Sequence, residues 1–164
     1  KQYGPMYETY FAGLEEGKVH PLVNESVMMP EYNICVCGSE IARCYYKRFK
    51  KHPMDEAYLE ELLGKASDNA FQILIAHNPD YFEEYAAWGA DLVVAGHVHG
   101  GIMRLPLLGG VLSPSMTLFP KYDGGLFRLG KAAMVLSRGL GTHTLPLRIF
   151  NPGELVVISL TPDK

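Results

Sequence analysis

The sequence contains no long hydrophobic run, although 48% of its 164 residues are hydrophobic. Its longest apolar stretches, such as residues 155–160, fall far short of the ~18–20 residues with which an α-helix crosses a bilayer. No membrane span is therefore expected in this chain. The same hydrophobic content excludes a disordered polypeptide, and the length fits one domain, 1–164, because domains usually take roughly 100–200 residues.

Cysteine is scarce as well. Cys35, Cys37 and Cys44 are too few and too clustered for a disulfide framework, and an odd number of thiols favours a reducing compartment, so we expect the cytoplasm. Cys35 and Cys37 could form half of a metal site. They alternate within a strand-like run, however, and this favours their interpretation as small buried hydrophobic residues.

An excess of positive charge is also absent, since 18 acidic residues stand against 15 basic ones and the net charge is −3. Proteins that bind nucleic acid through its phosphates need a basic surface. The chain therefore carries no nucleic-acid-binding signal.

Hydrophobic periodicity and turn residues divide the chain into alternating elements. The spacing predicts helices over 5–16, 39–51, 55–63 and 78–88. Strands are predicted over 22–29, 32–37, 71–76, 91–95, 126–129, 132–137 and 155–160.

The most informative unit begins at residue 71. Residues 71–76 (FQILIA) form the continuous apolar run of a strand buried on both faces. Asn78 and Pro79 suit the N-cap and the first position of a helix, and a second apolar run, 91–95, follows that helix. This is a β-α-β unit, and it predicts an α/β fold.

Three histidines lie at the ends of these two strands. His77 follows the first strand, His97 follows the second, and His99 shares the direction of His97 in an extended backbone. Parallel strands of such a unit are commonly neighbours about 4.8 Å apart, and their carboxyl edge is where open α/β sheets bind ligands. We therefore expect the three imidazoles to ligate metal, whereas His20 and His52 are expected to be ordinary surface residues.

Two motifs, 77–80 (HNPD) and 96–101 (GHVHGG), resemble the last two motifs of the calcineurin-like metallophosphoesterases. The resemblance extends through 104–106, 119–122 and 138–143, and is strongest to a bacterial branch of small phosphodiesterases and phosphohydrolases. The segment before residue 71 matches only loosely.

The resemblance implies a four-layer α-β-β-α sandwich with two divalent metal ions at the carboxyl ends of its strands. By resemblance, His77 and His97 would bind the second ion and His99 the first. Imidazole ligands favour Mn, Fe, Zn or Ni over Mg. The implied activity is hydrolysis of a phosphate mono- or diester by a water that two cations about 3.5–4 Å apart activate.

The family's other ligands are absent from this chain. They come from Asp-x-His, Gly-Asp and Asn-His motifs, none of which occurs here, so the catalytic residues cannot be assigned. The chain also begins at Lys1 without an initiator methionine. We therefore expect the C-terminal portion of a metallophosphoesterase domain, inactive alone and prone to associate with itself or with the missing N-terminal portion.

Two further side chains are candidate substrate contacts, and two alternative functions also fit the sequence. Arg138 and His143 lie in a loop that could line the site, and an arginine fork suits phosphate. One alternative is a metallophosphoesterase-like binding module without catalysis. The other is a mononuclear zinc hydrolase that uses the three histidines alone.

Overall fold

The computed structural model of the chain describes residues 4–47, 51–55, 57–105, 108–113, 117–142 and 147–161. Within these ranges the α-helices are α1 (Gly4–Glu16), α2 (Tyr58–Leu63) and α3 (Phe82–Trp88). The strands are β1 (Glu25–Met29), β2 (Ile34–Ser39), β3 (Phe71–Ala76), β4 (Leu92–Ala95), β5 (Met103–Leu105), β6 (Gly109–Leu112), β7 (Gly125–Leu129) and β8 (Ala132–Leu136).

Six of these strands form one mixed sheet in the order β1-β2-β3-β4-β8-β7. The four inner strands are parallel, while β1 and β7 pair antiparallel at the two edges. Strands β5 and β6 form a separate antiparallel pair. The predicted α/β class and the β-α-β unit are confirmed.

One face of the sheet carries the hydrophobic core. Alternate residues of β3 and β8, among them Leu74 and Met134, point to this face and are buried. Phe82 and Tyr85 of α3 and Leu59 of α2 complete the cluster. Cys35 and Cys37 are buried on the same face with their Sγ atoms 3.9 Å apart, as the alternation predicts.

The opposite face of the sheet is apolar and largely open. The registers align Ile73 with Val36 and Leu92, and Ile75 with Val94. Ile75 is 48% exposed although it lies in an inner strand. Residues 156–160 line a cavity of about 570 Å³ together with residues of β7 and β8 and with Phe71 and Leu92 near the starts of β3 and β4.

Two predicted elements are wrong. Residues 39–51 do not form a helix in their described part, which holds only a 3₁₀ turn, Arg43–Tyr46. Buried Ile41 and the hydrogen bond from the Ala42 amide to the Tyr58 hydroxyl fix this segment through separate contacts rather than through one helical face. Residues 155–160 form no strand, because no neighbouring strand pairs with them among the described residues.

The remaining predictions hold with shifted ends. The helix predicted over 55–63 begins at Tyr58, after an Asp55 side chain that accepts a hydrogen bond from the Ala57 amide. Strands β5 and β6 were not predicted, because they have only three and four residues and β6 begins with two glycines. No helix in the described part of the chain combines the length and apolar character that crossing a membrane requires.

Candidate metal centre

The parallel strands deliver several loops to one edge of the sheet. His77 directly follows β3, His97 lies two residues after β4, and Arg138 lies two residues after β8. Since these strands are adjacent and parallel, their carboxyl ends meet at the same edge. The Tyr46 ring, from the segment after β2, reaches the same place.

The structure brings His77 and His97 together. Nδ1 of His97 lies 3.0 Å from Nε2 of His77, and the two rings meet edge to face with centroids 4.8 Å apart. Two nitrogen ligands at about 2.0–2.1 Å from one ion stand about 2.8–3.4 Å apart in right-angled or tetrahedral geometry. The 3.0 Å contact is a hydrogen bond between the two rings, and the same spacing is compatible with two ligands of a single ion.

The neutral form of the His77 ring is favoured, and this form suits metal binding. Partial removal of its ring from water lowers the pKa of His77 below the usual value, although part of the side chain still touches solvent. A neutral imidazole is the form that donates a lone pair to a metal. Tyr46 packs beside both rings, with centroid distances of 5.9 Å to His77 and 5.4 Å to His97.

His99 does not join the pair. Among the residues that the structure describes, no three His, Cys, Asp or Glu side chains gather closely enough to hold one ion. The convergence of three imidazoles on one ion is therefore not seen here. Ligation by His77, His97 and His99 stays a prediction, and under the resemblance His99 would serve a different ion.

The loop that carries His97 and His99 has an unusual backbone. Both residues have left-handed φ angles, 71° and 50°, which non-glycine residues adopt rarely. The loop also approaches its neighbours closely at two glycines. A Cβ on Gly100 would lie 2.7 Å from Arg138 and Asn151 side-chain atoms, and one on Gly101 would lie 2.8 Å from the Leu112 carbonyl oxygen.

Arg138 is engaged within the protein. Its Nη2 donates to Oε1 of Glu154 over 2.9 Å, and its backbone amide donates to Oε2 over 3.1 Å. These hydrogen bonds lower the pKa of Glu154. Contact of Arg138 with phosphate stays a prediction, and His143 lies outside the described residues.

A cavity of about 350 Å³ lies beside His97 and holds both signs of charge. Two lysines in its wall are already paired, Lys51 with Glu84 at 3.0 Å and Lys121 with Glu83. Its lining also includes Tyr45, Tyr46, Lys47, Asn78, Asp80, Tyr81, Val98, Ser113, Thr117, Pro120 and Tyr122.

Two residues that shape the centre, Tyr46 and Asn151, were not predicted. Tyr46 falls in a polar segment whose composition suggests a solvated face. Asn151 contacts the histidine loop from about 50 residues away, and no local pattern marks it. The exposed positions of His20 and His52 agree with their predicted surface location.

Comparison with known proteins identifies several bacterial relatives. The chain is 34% identical over 101 residues to the uncharacterized metallophosphoesterase YkuE of Bacillus subtilis, covering 62% of this chain and 35% of that protein. It is 35% identical over 74 residues to the phosphodiesterase YaeI of Escherichia coli, covering 45% and 27%. An uncharacterized metallophosphoesterase of Helicobacter pylori is 29% identical over an aligned length of 165 residues, covering 98% and 42%.

No family model matches the chain, and no solved structure matches it. The chain spans about a third of the length of the curated relatives it matches. Its similarity to several proteins named metallophosphoesterase nevertheless covers most of the sequence, including both histidine motifs in the longest match. These similarities support the calcineurin-like metallophosphoesterase family for this chain.

Proposed function

We propose that this chain contributes the histidine side of a metal-dependent phosphoesterase site that hydrolyses a phosphate mono- or diester. The observation that carries the proposal is the 3.0 Å approach of His97 Nδ1 to His77 Nε2 at the carboxyl edge of the sheet. The names of the relatives, metallophosphoesterase and phosphodiesterase, support the same class of reaction.

Two divalent ions, of Mn, Fe, Zn or Ni, are the proposed cofactors. His77 and His97 would hold one of them and His99 the other. When bound, such ions supply positive charge that acidifies water and holds phosphoryl oxygens. Their preference for nitrogen ligands agrees with three imidazoles in the candidate set.

The chain's own residues would orient the reaction rather than complete it. The parallel strands fix where the two rings lie, and Tyr46 closes one side of the pair. The neighbouring cavity leaves space for a phosphate ester beside His97. Lys51 and Lys121 in its wall are each paired with a glutamate, so these two lysines add no net positive charge. Arg138 and His143 remain candidate substrate contacts.

We further propose that residues 1–164 are the C-terminal portion of a four-layer sandwich. The open apolar face of the sheet, with Ile73, Ile75 and Val94, supports this because an inner sheet normally has both faces covered. A second sheet is the proposed cover, formed by the part of the relatives that this chain does not match. The missing carboxylate ligands would come from that part.

Cytoplasmic location is proposed on the cysteines alone. Cys35, Cys37 and Cys44 are all free thiols, and reduced cysteines are typical of that compartment.

The test is substitution of the histidines in a protein extended upstream through the first motif of the family. His97→Ala or His99→Ala should lower hydrolysis of bis(p-nitrophenyl) phosphate by at least 100-fold and reduce the bound metal measured by elemental analysis, because each change deletes a proposed ligand. His52→Ala is the matched control, since the exposed His52 ring contacts Pro53 and Tyr45 rather than the histidine pair, and both readouts should keep their wild-type values.

Metal content and turnover unchanged in both variants would exclude the proposed ligands. The 164-residue chain assayed alongside should show little or no activity even with added manganese, because it lacks the family's carboxylates. Comparable rates from the short and extended proteins would overturn the proposal that a second portion completes the site.

A further inference from the structure

Asn151 is a buried amide at the base of the histidine loop. It is 2% exposed, and its Nδ2 donates to the carbonyl oxygens of His99 and Gly101, each over 2.7 Å. Both hydrogens of the amide are therefore used on a loop about 50 residues earlier in the chain. Its Oδ1 has no hydrogen-bond partner among the described residues and lies against Gly100.

These two hydrogen bonds join others that hold the loop, among them Gly96 N–H to the His77 carbonyl oxygen and Arg104 Nη1 to the Gly100 carbonyl oxygen. His97, His99, Gly100 and Gly101 all have left-handed φ angles, a run that surrounding contacts must hold in place. Buried carbonyl groups without donors are strongly disfavoured, and Asn151 supplies the donor for two of them. A primary amide suits this role, because its single nitrogen carries two hydrogens and can donate one to each carbonyl oxygen.

The segment around Asn151 is itself anchored to the neighbouring loop. Arg148 donates through Nη2 to the carbonyl oxygens of Arg138, Gly139 and Gly141. Glu154 pairs with Arg138 on the other side of Asn151. Asn151 is thus held between two fixed points, and its amide is presented to the histidine loop in a defined orientation.

We propose that Asn151 is a positioning residue that fixes the backbone of residues 96–101 and thereby the direction of the His97 and His99 side chains. Its effect on metal binding rests on the function proposed above, while its effect on the loop does not. Asn151 acts through the two carbonyl groups and is not itself a ligand.

The experiment compares Asn151→Asp with Gln72→Glu in the full chain. Both substitutions convert a side-chain amide that is 2% exposed into a carboxyl group of equal size. Gln72 lies near the start of β3, away from the carboxyl edge, so it is a matched control for the burial of a carboxyl group. If Asn151→Asp does not fold, Asn151→Ala takes its place, because it removes the two donor hydrogens without adding a charge.

Two readouts are measured, amide hydrogen exchange and cobalt(II) titration followed by visible absorption. We expect exchange in residues 96–101 to accelerate at least 10-fold in the Asn151 variant and to stay at the wild-type rate in Gln72→Glu. Cobalt affinity should fall about 10–100-fold only in the Asn151 variant, the usual cost of losing a group that orients a metal ligand.

Wild-type exchange rates in residues 96–101 of the Asn151 variant would overturn the proposal, as would equal acceleration in both variants. A wild-type chain without cobalt binding would count against the proposed metal site, and hydrogen exchange would still decide the role of Asn151.

Discussion

At the scale of single residues, Gly100 permits close packing at the histidine loop because it has no side chain. Gly100 lies between the two histidine-bearing turns and the side chains of Arg138 and Asn151, with φ of 72°. No other residue combines that backbone angle with the available space. The approach of these side chains to the loop therefore depends on a missing methyl group.

Gly100→Ala should destabilise the chain by about 2–4 kcal/mol, because the new Cβ would lie 2.7 Å from the Arg138 and Asn151 side chains and the left-handed angle adds strain. Urea unfolding measures this change. Gly141→Ala is the control, since open space surrounds that position, and it should change the free energy of unfolding by less than about 1 kcal/mol. Equal effects from both substitutions would contradict the close packing at Gly100.

At the scale of elements, the β-α-β unit was predictable, whereas the shape of the loop after its second strand was not. Apolar runs at 71–76 and 91–95 suffice to predict adjacent parallel strands, and adjacency brings His77 and His97 to one edge. The direction of His99 was not predictable, because the extended backbone assumed for residues 97–99 is replaced by left-handed turns. Asn151 was missed because a contact across 50 residues has no periodic signal.

The failed strand at 155–160 shows the same limit. Its run of apolar residues is real, but a strand also needs a hydrogen-bonding neighbour, which a local pattern does not supply. What fixes the beginning of this segment instead is the pairing of Glu154 with Arg138 after β8.

This ion pair predicts a pH dependence of stability. Arg138 lowers the pKa of Glu154 in the folded chain, so the stabilisation is present above the unfolded pKa of about 4.3 and is lost as the pH falls through the lower folded value. Glu154→Gln should therefore reduce the free energy of unfolding at pH 7 by about 1 kcal/mol, since the pair is partly exposed, and by less at pH 3.5.

Urea unfolding at the two pH values measures this difference. Glu31→Gln, at an exposed turn position, is the control and should show no such change between them. If wild type and Glu154→Gln differed more in unfolding free energy at pH 3.5 than at pH 7, the pH dependence would be the reverse of the one that the ion pair requires.

At the scale of the whole molecule, the sheet is unequally covered. Helices α2 and α3 pack on one face, while Val27, Phe71 and Ile75 remain exposed on the other. A contiguous apolar surface of this kind favours association. The proposed partner is the second sheet of a complete domain, and in its absence we expect copies of this chain to associate.

Ile75→Lys should shift the isolated chain toward monomer, lowering its association constant at least 10-fold, because a charge would be buried in the contact. Sedimentation velocity across a range of concentrations measures this. Val19→Lys, a comparable change at an equally exposed residue outside the sheet, should leave association as it was. In the extended protein Ile75→Lys should instead lower stability, by about 2–3 kcal/mol.

The contact between Asn151 and Gly101 also sets an order of events during translation. The two residues are 50 positions apart, and at roughly 5–20 residues per second the ribosome needs about 3–10 s to add that length. For that interval the nascent histidine loop has no amide donor for its inward carbonyl groups. The two hydrogen bonds therefore form only after residue 151 has emerged, so a product terminated before that residue would carry both histidine motifs without them.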